Sequence, residues 1–165
     1  MPRKDTPGTP GTPATVALTR ADVAFEPRTY EHDPSVGSFG LEAATALGLD
    51  PATVFKTLLV DGDGHLGVGI VPVDARLDLK AVAAALGLKK VAMCDPALAE
   101  RVTGYVVGGI SPVGHKRSLP TVLDESARGL RVIWVSGGRR GFDIGIDPDD
   151  LCRVTRATYA PIARR

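Results

Sequence analysis

The sequence predicts a single α+β domain, in which helices surround a mixed, strongly curved β-sheet or partly closed barrel. Short runs of β-branched and aliphatic residues, such as residues 54–60, alternate with helical segments that begin at Asp or Ser and end at Gly. These strands and helices do not follow a strict βαβ rhythm, so an all-parallel sheet is not expected. The length of 165 residues suits one domain with one sizeable core.

Composition indicates an ordinary soluble globular protein. Hydrophobic residues make up 44% of the chain and charged residues 24%, as is typical of such domains. No apolar run approaches the roughly 20 residues that a membrane span needs, and the N-terminus has no apolar signal core. We therefore expect a cytoplasmic protein without a membrane partner.

The net charge and the spacing of Cys and His argue against two further classes of protein, those that coat nucleic acid and those that bind a metal ion. The formal net charge is +1, which argues against a protein that coats nucleic acid by charge alone. The two cysteines, Cys94 and Cys152, lie far apart, and neither they nor the three scattered histidines have the spacing of a metal site. We expect no metal and no other cofactor.

The N-terminal third predicts a tail, two helices and an extended segment. Residues 1–13 are rich in Pro, Gly and Thr and are predicted to be a disordered tail before a domain of residues 14–165. A helix is predicted over residues 14–24 with Thr12 as its cap, and residues 25–31 are predicted to be extended. Ser38 is predicted to cap a second helix that ends at Gly48.

A β-hairpin is predicted around Asp-Gly-Asp-Gly, residues 61–64. It would join a strand over residues 54–60 to a return strand over residues 66–71. Gly67 and Gly69 lie on one face of the return strand. They would leave room there for a neighbouring backbone or a ligand.

Aspartates and glycines mark the helices of the C-terminal half. Asp78 and Asp95 are predicted to begin helices that Gly87 and Gly104 end, and Asp147 is predicted to begin the last helix. The remaining predicted elements are a brief strand over residues 90–93, an irregular loop over 108–120, strands over 121–123, 130–135 and 142–146, and a turn over 136–140.

Lys56 is the unusual residue of the 54–60 strand. Since side chains alternate across a strand, Lys56 shares its face with the aliphatic residues Val54, Leu58 and Val60. Burying an unpaired ammonium costs several kcal/mol, so a carboxylate, a ring of carbonyls or a ligand would have to compensate for it. The alternative is that Lys56 lies at the strand's mouth and reaches water.

The loop over residues 108–117 is the second unusual stretch. It contains Gly108, Gly109, Pro112 and Gly114, so its backbone N–H groups can be exposed to an anion or a carbonyl oxygen. It lacks the Gly-Lys-Ser/Thr ending of a Walker loop and the spacing of a Rossmann loop. An ordinary surface turn is the alternative.

A resemblance rests on five stretches, in order and with near-constant spacing: Tyr-Glu-His-Asp-Pro (30–34), Val-Phe-Lys-Thr-Leu-Leu-Val (54–60), Leu-Asp-Leu-Lys (77–80), Thr-Gly-Tyr-Val-Val-Gly-Gly-Ile-Ser-Pro-Val-Gly-His-Lys-Arg (103–117) and Val-Ser-Gly-Gly-Arg-Arg-Gly-Phe-Asp-Ile (135–144). Together they resemble the YbaK (EbsC) proteins from about Val16 to Arg165. Those proteins are aminoacyl-tRNA deacylases related to the editing domain inserted in bacterial prolyl-tRNA synthetases.

The resemblance implies a set of site residues. Lys56 matches the family's essential lysine, and Gly109 matches the glycine whose backbone helps to hold the substrate end. The same resemblance implies that the substrate pocket is formed by Tyr30, Phe39, Thr57, Ile110, Ser111, Ser136 and Asp143. From the helix pattern alone, Phe39 is either a core anchor or a residue at a pocket mouth. His115 and Arg139 depart from the family pattern and bear on contacts with tRNA or a partner.

The resemblance implies a hydrolase that removes cysteine from tRNA mischarged for proline, and from tRNA(Cys) as well. The sequence offers no Ser-His-Asp or Cys-His set, which fits the family picture of a substrate thiol that attacks its own ester in a lyase-like step. We expect Lys56 to stabilise charge near the ester, and Asp143 to pair with Lys56 or to hold the substrate amine. The implied partners are the mischarged tRNA and prolyl-tRNA synthetase. The alternatives are a deacylase for Ala-tRNA(Pro) and a non-catalytic module that binds aminoacyl ends or a synthetase.

Overall fold

The computed structural model describes residues 9–165 and has the predicted α+β architecture. The helices are α1 (Pro13–Arg20), α2 (Phe39–Leu47), α3 (Leu79–Leu86), α4 (Pro96–Thr103) and α5 (Pro148–Thr155). The strands are β1 (Glu26–Thr29), β2 (Phe55–Gly62), β3 (His65–Pro72), β4 (Arg76–Leu77), β5 (Ala92–Met93), β6 (Thr121–Asp124), β7 (Ile133–Arg139), β8 (Phe142–Ile146), β9 (Thr158–Ala160) and β10 (Ala163–Arg164). Within residues 9–165, no helix has the length and apolar character that crossing a membrane requires.

Three sheets carry the fold. The largest has the order β5-β2-β3-β6-β9; its first three strands are antiparallel, whereas β6 runs parallel to both β3 and β9. A second, antiparallel sheet has the order β1-β8-β7, and β10 pairs with β4 in a third. A single parallel bridge between Val54 and Trp134 joins the start of β2 to β7. This bridge brings the two larger sheets together beside the functional site.

The helix caps follow the sequence signals. The side chains of Asp78, Asp95 and Asp147 each accept a hydrogen bond from a main-chain N–H of the first turn that follows. Ser38 lies at the cap position of α2, but its side chain makes no capping bond. The first helix ends at Arg20 instead of residue 24, because Asp22 takes a left-handed conformation with φ of 59°.

The predicted tail divides into two parts. Residues 1–8 lie outside the described residues, so their predicted disorder stays a prediction. Thr12 belongs to the fold: it is buried, and its hydroxyl donates to the Gly137 carbonyl at 2.6 Å. Its side chain also caps α1 by accepting from Thr15 N.

The β2–β3 hairpin forms as predicted. Gly62 pairs with His65 across a two-residue turn, and Asp63 and Gly64 both have positive φ. The space beside the glycines of β3 is filled by leucine side chains and not by a backbone or a ligand. A Cβ on Gly67 would lie 2.5 Å from Leu86 Cδ1, and a Cβ on Gly69 would lie 2.9 Å from Leu77 Cδ1.

Several predicted boundaries in the C-terminal half were wrong. The expected turn over residues 136–140 is a continuation of β7, which has a bulge between Ser136 and Arg139. Gly137 packs on the Phe142 ring and Gly138, with φ of 113°, packs on Thr12 and Tyr105. The strand β7 begins at Ile133 instead of residue 130, and the sequence pattern did not predict the short strands β4, β9 and β10.

Asp124 ties the chain's last segment to the sheet. Its carboxylate is buried and accepts hydrogen bonds from Ile162 N and Ala163 N at 2.9 Å and from Ser126 N at 3.1 Å. Because these donors are main-chain groups, loss of the carboxylate would leave them without a partner.

We predict that Asp124→Ala lowers the free energy of unfolding by about 2–4 kcal/mol. Asp124→Asn keeps one acceptor oxygen and should lose less. Urea denaturation of both variants measures their free energies of unfolding and tests this ranking. Equal midpoints for Asp124→Ala and the unmodified protein would contradict the prediction.

Candidate active site

A cavity of about 300 Å³ lies between the open edge of β2, the start of α2, the loop after α4 and the ends of β7 and β8. Most of its wall is apolar. Its polar side chains come from Tyr30, Ser38, Lys56, Thr57, Ser136 and Asp143. An apolar cavity with a few convergent polar groups is the usual form of a small-molecule site. Within residues 9–165, no group of His, Cys, Asp and Glu side chains could hold a metal ion.

The edge of β2 presents unpaired main-chain groups to this cavity. Val54 O accepts from Val73 N and therefore faces β3, whereas Leu59 O accepts from Cys94 N on the opposite edge. Thr57 shares the second orientation, because main-chain direction alternates along a strand. On this second edge Thr57 lies between the bridge at Val54 and the bond at Leu59, where no described strand pairs with it, although β3 pairs with Thr57 on the other edge through Ile70.

Thr57 also has an unsatisfied side chain. Its hydroxyl oxygen is buried and has no hydrogen-bond partner among the described residues. Buried polar groups nearly always have partners, so an orphaned hydroxyl on a cavity wall marks a place where a bound molecule can supply one.

Lys56 is half-buried on the cavity wall. Burial lowers the pKa of its amine, the charge of Arg76 lowers it further, and Asp74 opposes the shift. Among residues 9–165, no carboxylate forms an ion pair with Lys56, so the expected pairing with Asp143 is absent. Asp74 acts on the amine only from beyond ion-pair distance, so no carboxylate among these residues is in direct contact with Lys56.

Asp143 is a buried carboxyl at another part of the wall, only 6% exposed. Burial raises its pKa to about 7. Arg28 lies opposite Asp143 in the strand register, but its guanidinium bonds Glu26 at 2.7 Å and stacks over Trp134. Tyr30 lies close enough that Asp143 contributes, after burial, to raising the pKa of its phenol to about 12. Tyr30 is thus protonated throughout the neutral range, whereas Asp143 changes its protonation state near neutral pH.

The raised pKa of Asp143 predicts a pH-dependent penalty on stability. The folded state holds this proton up to about pH 7, whereas the unfolded chain releases it near 3.8. The contribution of protonated Asp143 to the free energy of unfolding is therefore complete at low pH. It is lost as the pH rises from about 4 through 7.

We expect Asp143→Asn, which is neutral at every pH, to escape this loss. Its melting temperature should exceed that of the unmodified protein by an amount that grows between pH 4.5 and 8, reaching on the order of 5 °C. Calorimetry at several pH values tests this. A constant difference between the two proteins would count against the assigned ionisation.

Phe39 lies at the cavity mouth and not in the core. It is half-exposed, lines the cavity and contacts the ring of His32 at 5.7 Å between centroids. Gly108 packs directly against it, since a Cβ there would lie 2.8 Å from the Phe39 ring, and Gly108 also has φ of 89°. Glycine is therefore required at this position by both contact and conformation.

Gly109 lies behind the cavity wall, and its predicted contact with the substrate stays a prediction. It does not line the cavity, and its N–H donates to Val106 O at 2.8 Å. A Cβ on Gly109 would lie 2.7 Å from the Arg139 backbone, so this glycine lets the loop pack on the end of β7. Its neighbours Gly108 and Ile110 line the cavity instead, and their N–H groups have no protein acceptor among residues 9–165.

Internal hydrogen bonds hold the loop in shape. Ser111 is fully buried away from the cavity, and its hydroxyl accepts from Val113 N at 3.2 Å. His115 Nε2 bonds Ser111 O at 2.6 Å, and Tyr105 donates its hydroxyl to Val113 O at 2.7 Å. Burial lowers the pKa of His115, which keeps the ring neutral. Ser111 and His115 therefore brace the loop.

The apolar end of the cavity was not predicted. It is formed by Met93 at the end of β5, by Cys94 after it, and by Pro96 and Ala99 of α4. Cys94 is 9% exposed, and burial raises the pKa of its thiol, which disfavours the reactive thiolate. The pattern gave no sign of this wall, because its residues lie some 40 positions beyond Lys56 and meet it only through the β2–β5 pairing.

Seven of the nine predicted site residues line one cavity. They are Tyr30, Phe39, Lys56, Thr57, Ile110, Ser136 and Asp143. Gly109 and Ser111 shape the loop behind it. The arrangement can hold a small polar group against an open strand edge, a lysine and a buried carboxyl.

Comparisons with known protein sequences identify the family of this chain. A family model described as "Aminoacyl-tRNA editing domain" matches residues 34–154. The chain is 39% identical over 124 residues to "Putative Cys-tRNA(Pro)/Cys-tRNA(Cys) deacylase EbsC" of Enterococcus faecalis, with 74% of this chain and 75% of that protein covered. It is 31% identical over 106 residues to a proline–tRNA ligase of Citrifermentans bemidjiense, which matches 64% of this chain but only 18% of the ligase.

Solved structures show the same fold. A "putative trans-editing enzyme for prolyl tRNA synthetase" superposes with a TM-score of 0.79 at 25% identity, covering 95% of this chain and all of that one (100%). The hypothetical protein APE2540 superposes with a TM-score of 0.82 at 23% identity, covering 93% and 100% of the two chains.

Proposed function

The chain belongs to the aminoacyl-tRNA editing domain family, and from that premise we propose that it acts in trans as a deacylase of tRNA(Pro) mischarged with cysteine. The observation that carries the proposal is the cavity itself. It joins Lys56, the unpaired edge at Thr57 and the buried Asp143 around a volume of about 300 Å³. Cys-tRNA(Cys) is a second substrate to be tested.

The need for such an enzyme is physical. Cysteine and proline are similar in size, and small apolar differences give only about 1–3 kcal/mol of discrimination in a binding pocket. A synthetase that cannot reject cysteine by binding alone requires a second site that removes it.

Binding of the aminoacyl group would satisfy groups that have no partner among residues 9–165. The α-ammonium of the substrate is the cation that Asp143 lacks, and its arrival would favour the ionised carboxylate. The substrate's polar atoms can pair with the main chain of Thr57 and with its orphaned hydroxyl. Lys56 lines the same wall, where its charge can stabilise an ester oxygen that becomes negative.

We infer that the substrate supplies the nucleophile. The cysteinyl sulfur attacks the ester carbonyl carbon, a C–S bond forms, and the bond from that carbon to the ribose oxygen breaks. The thiol proton is transferred to the departing ribose oxygen, which leaves as a hydroxyl, and one water molecule then hydrolyses the cyclic thiolactone to cysteine. Cys94, the thiol on the cavity wall, is disfavoured as an alternative nucleophile because burial raises its pKa.

A deacylation panel tests the proposal. Cys-tRNA(Pro), Ala-tRNA(Pro), Pro-tRNA(Pro) and Cys-tRNA(Cys) are incubated with the protein, with and without prolyl-tRNA synthetase, and the remaining ester is measured. We expect Cys-tRNA(Pro) to be hydrolysed most rapidly and the synthetase to increase the rate by holding the tRNA. Preferential hydrolysis of Ala-tRNA(Pro) would assign a different substrate, and tight binding without turnover would indicate a non-catalytic module.

A further inference from the structure

Arg140 holds its guanidinium at the mouth of the cavity. It lies in the turn between β7 and β8, and its Nε donates to Val107 O at 2.9 Å. Its Cζ lies 5.0 Å from the centroid of the Phe39 ring. Both Val107 and Phe39 line the cavity, so two independent contacts fix an exposed cation at its rim.

The terminal N–H groups of this guanidinium are available to a ligand. Among residues 9–165, no carboxylate pairs with Arg140, whereas Arg28, Arg153 and Arg165 each have one. Glu100 is linked to Arg140 only through Val107, whose N–H donates to the Glu100 carboxylate at 2.8 Å. Arg140 therefore keeps its terminal N–H groups in a fixed plane, which is the arrangement that binds phosphate oxygens well.

The size of the cavity indicates which phosphate would reach this rim. A volume of about 300 Å³ accommodates the aminoacyl group and little more than its sugar. The remaining nucleotides of the tRNA must leave through the mouth, past Phe39 and Arg140. The first backbone phosphate therefore emerges where a cation is held.

We propose that Arg140 binds a backbone phosphate of the tRNA 3′ end and thereby positions the ester inside the cavity. The proposal rests on the proposed function. It makes Arg140 a positioning residue, with the chemistry left to the groups of the inner wall.

The test compares two substrates and three variants. The substrates are Cys-tRNA(Pro) and 3′-O-cysteinyl adenosine, which has no phosphate. Arg140→Gln removes the charge but keeps a donor for Val107 O, and Arg140→Ala removes both. Arg131→Ala removes an exposed charge that does not line the cavity.

We expect Arg140→Gln and Arg140→Ala to raise KM for Cys-tRNA(Pro) about tenfold or more, with a smaller change in kcat. The loss on cysteinyl adenosine should be much smaller. Removal of one phosphate contact should also reduce the slope of log KM against log salt concentration by about 0.7, and Arg131→Ala should leave that slope unchanged.

Equal losses on both substrates would overturn the proposal, because they would mean that Arg140 only supports the cavity wall. If the unmodified protein hydrolyses neither substrate, that result contradicts the proposed function but does not test the phosphate contact. Binding of a non-hydrolysable cysteinyl-tRNA then decides the matter: a tenfold weaker Kd for Arg140→Gln supports the phosphate contact, and an unchanged Kd contradicts it.

Discussion

Replacing Lys56 by alanine is expected to lower the rate of Cys-tRNA(Pro) deacylation by about 10²–10³-fold, the usual effect of removing one electrostatic contact to a transition state. The reason is that Lys56 is a half-buried cation on the cavity wall with no carboxylate partner among the described residues. Single-turnover deacylation of preformed Cys-tRNA(Pro) measures the chemical step directly.

Substitutions of Lys56 should not lower the stability of the folded protein. Because burial lowers the pKa of Lys56, the folded protein disfavours the charged amine, and an apolar residue should fit equally well. We therefore expect Lys56→Met to melt at the same temperature as the unmodified protein or above it, with the same loss of activity. Lys80→Ala, on the exposed side of α3, is the matched control and should be fully active. Normal turnover by Lys56→Met would remove this lysine from the mechanism.

The second large effect concerns sulfur in the substrate. Ser-tRNA(Pro) differs from Cys-tRNA(Pro) by one atom, but a hydroxyl is a far weaker nucleophile than a thiol near neutral pH. If the substrate attacks its own ester, hydrolysis of Ser-tRNA(Pro) should be slower by at least about 10²-fold. Comparable rates would instead indicate a water molecule activated by the protein.

Cys94→Ala separates the two thiols in this experiment. The Cys94 thiol lies on the cavity wall and is buried, so we do not expect it to attack the substrate. The variant should retain deacylation of Cys-tRNA(Pro) within about threefold, a change typical of a small packing effect. Loss of activity in Cys94→Ala together with a retained melting temperature would assign the nucleophile to the protein.

Local signals in the sequence predicted most of the fold. The caps at Asp78, Asp95 and Asp147 and the Asp63-Gly64 turn depend on a few neighbouring residues, and all of them form. The elements that pattern did not predict depend on distant partners: β4 pairs with β10, and β9 pairs with β6. Strands of two or three residues are too short for an alternation of apolar and polar residues to be recognised.

The bulge in β7 shows a related limit. Gly137 and Gly138 resemble a turn in the sequence, whereas in the structure they let Thr12, Tyr105 and Phe142 pack against a continuing strand. Glycine allows both outcomes, and only the packing partners decide between them.

The resemblance named residues that share one cavity but did not indicate their geometry. The resemblance identified Lys56, Thr57 and Asp143, and the structure places all three on one cavity. It did not indicate that the Gly109 N–H is already bonded to Val106 O or that Arg140 lies on Phe39. Hydrogen-bond direction and cavity rims arise from three-dimensional contacts that no linear motif records.

The adjacent glycines of the loop restrict how substrate selectivity can change during evolution. Gly108 is held against the Phe39 ring and Gly109 against the Arg139 backbone, so neither position can accept a side chain that would narrow the entrance. The apolar end of the cavity is less restricted, since Met93 lines it and is 50% exposed, so its side chain can be enlarged or trimmed. Descendants of this protein that accept smaller or bulkier amino acids should therefore differ at Met93 and keep both glycines.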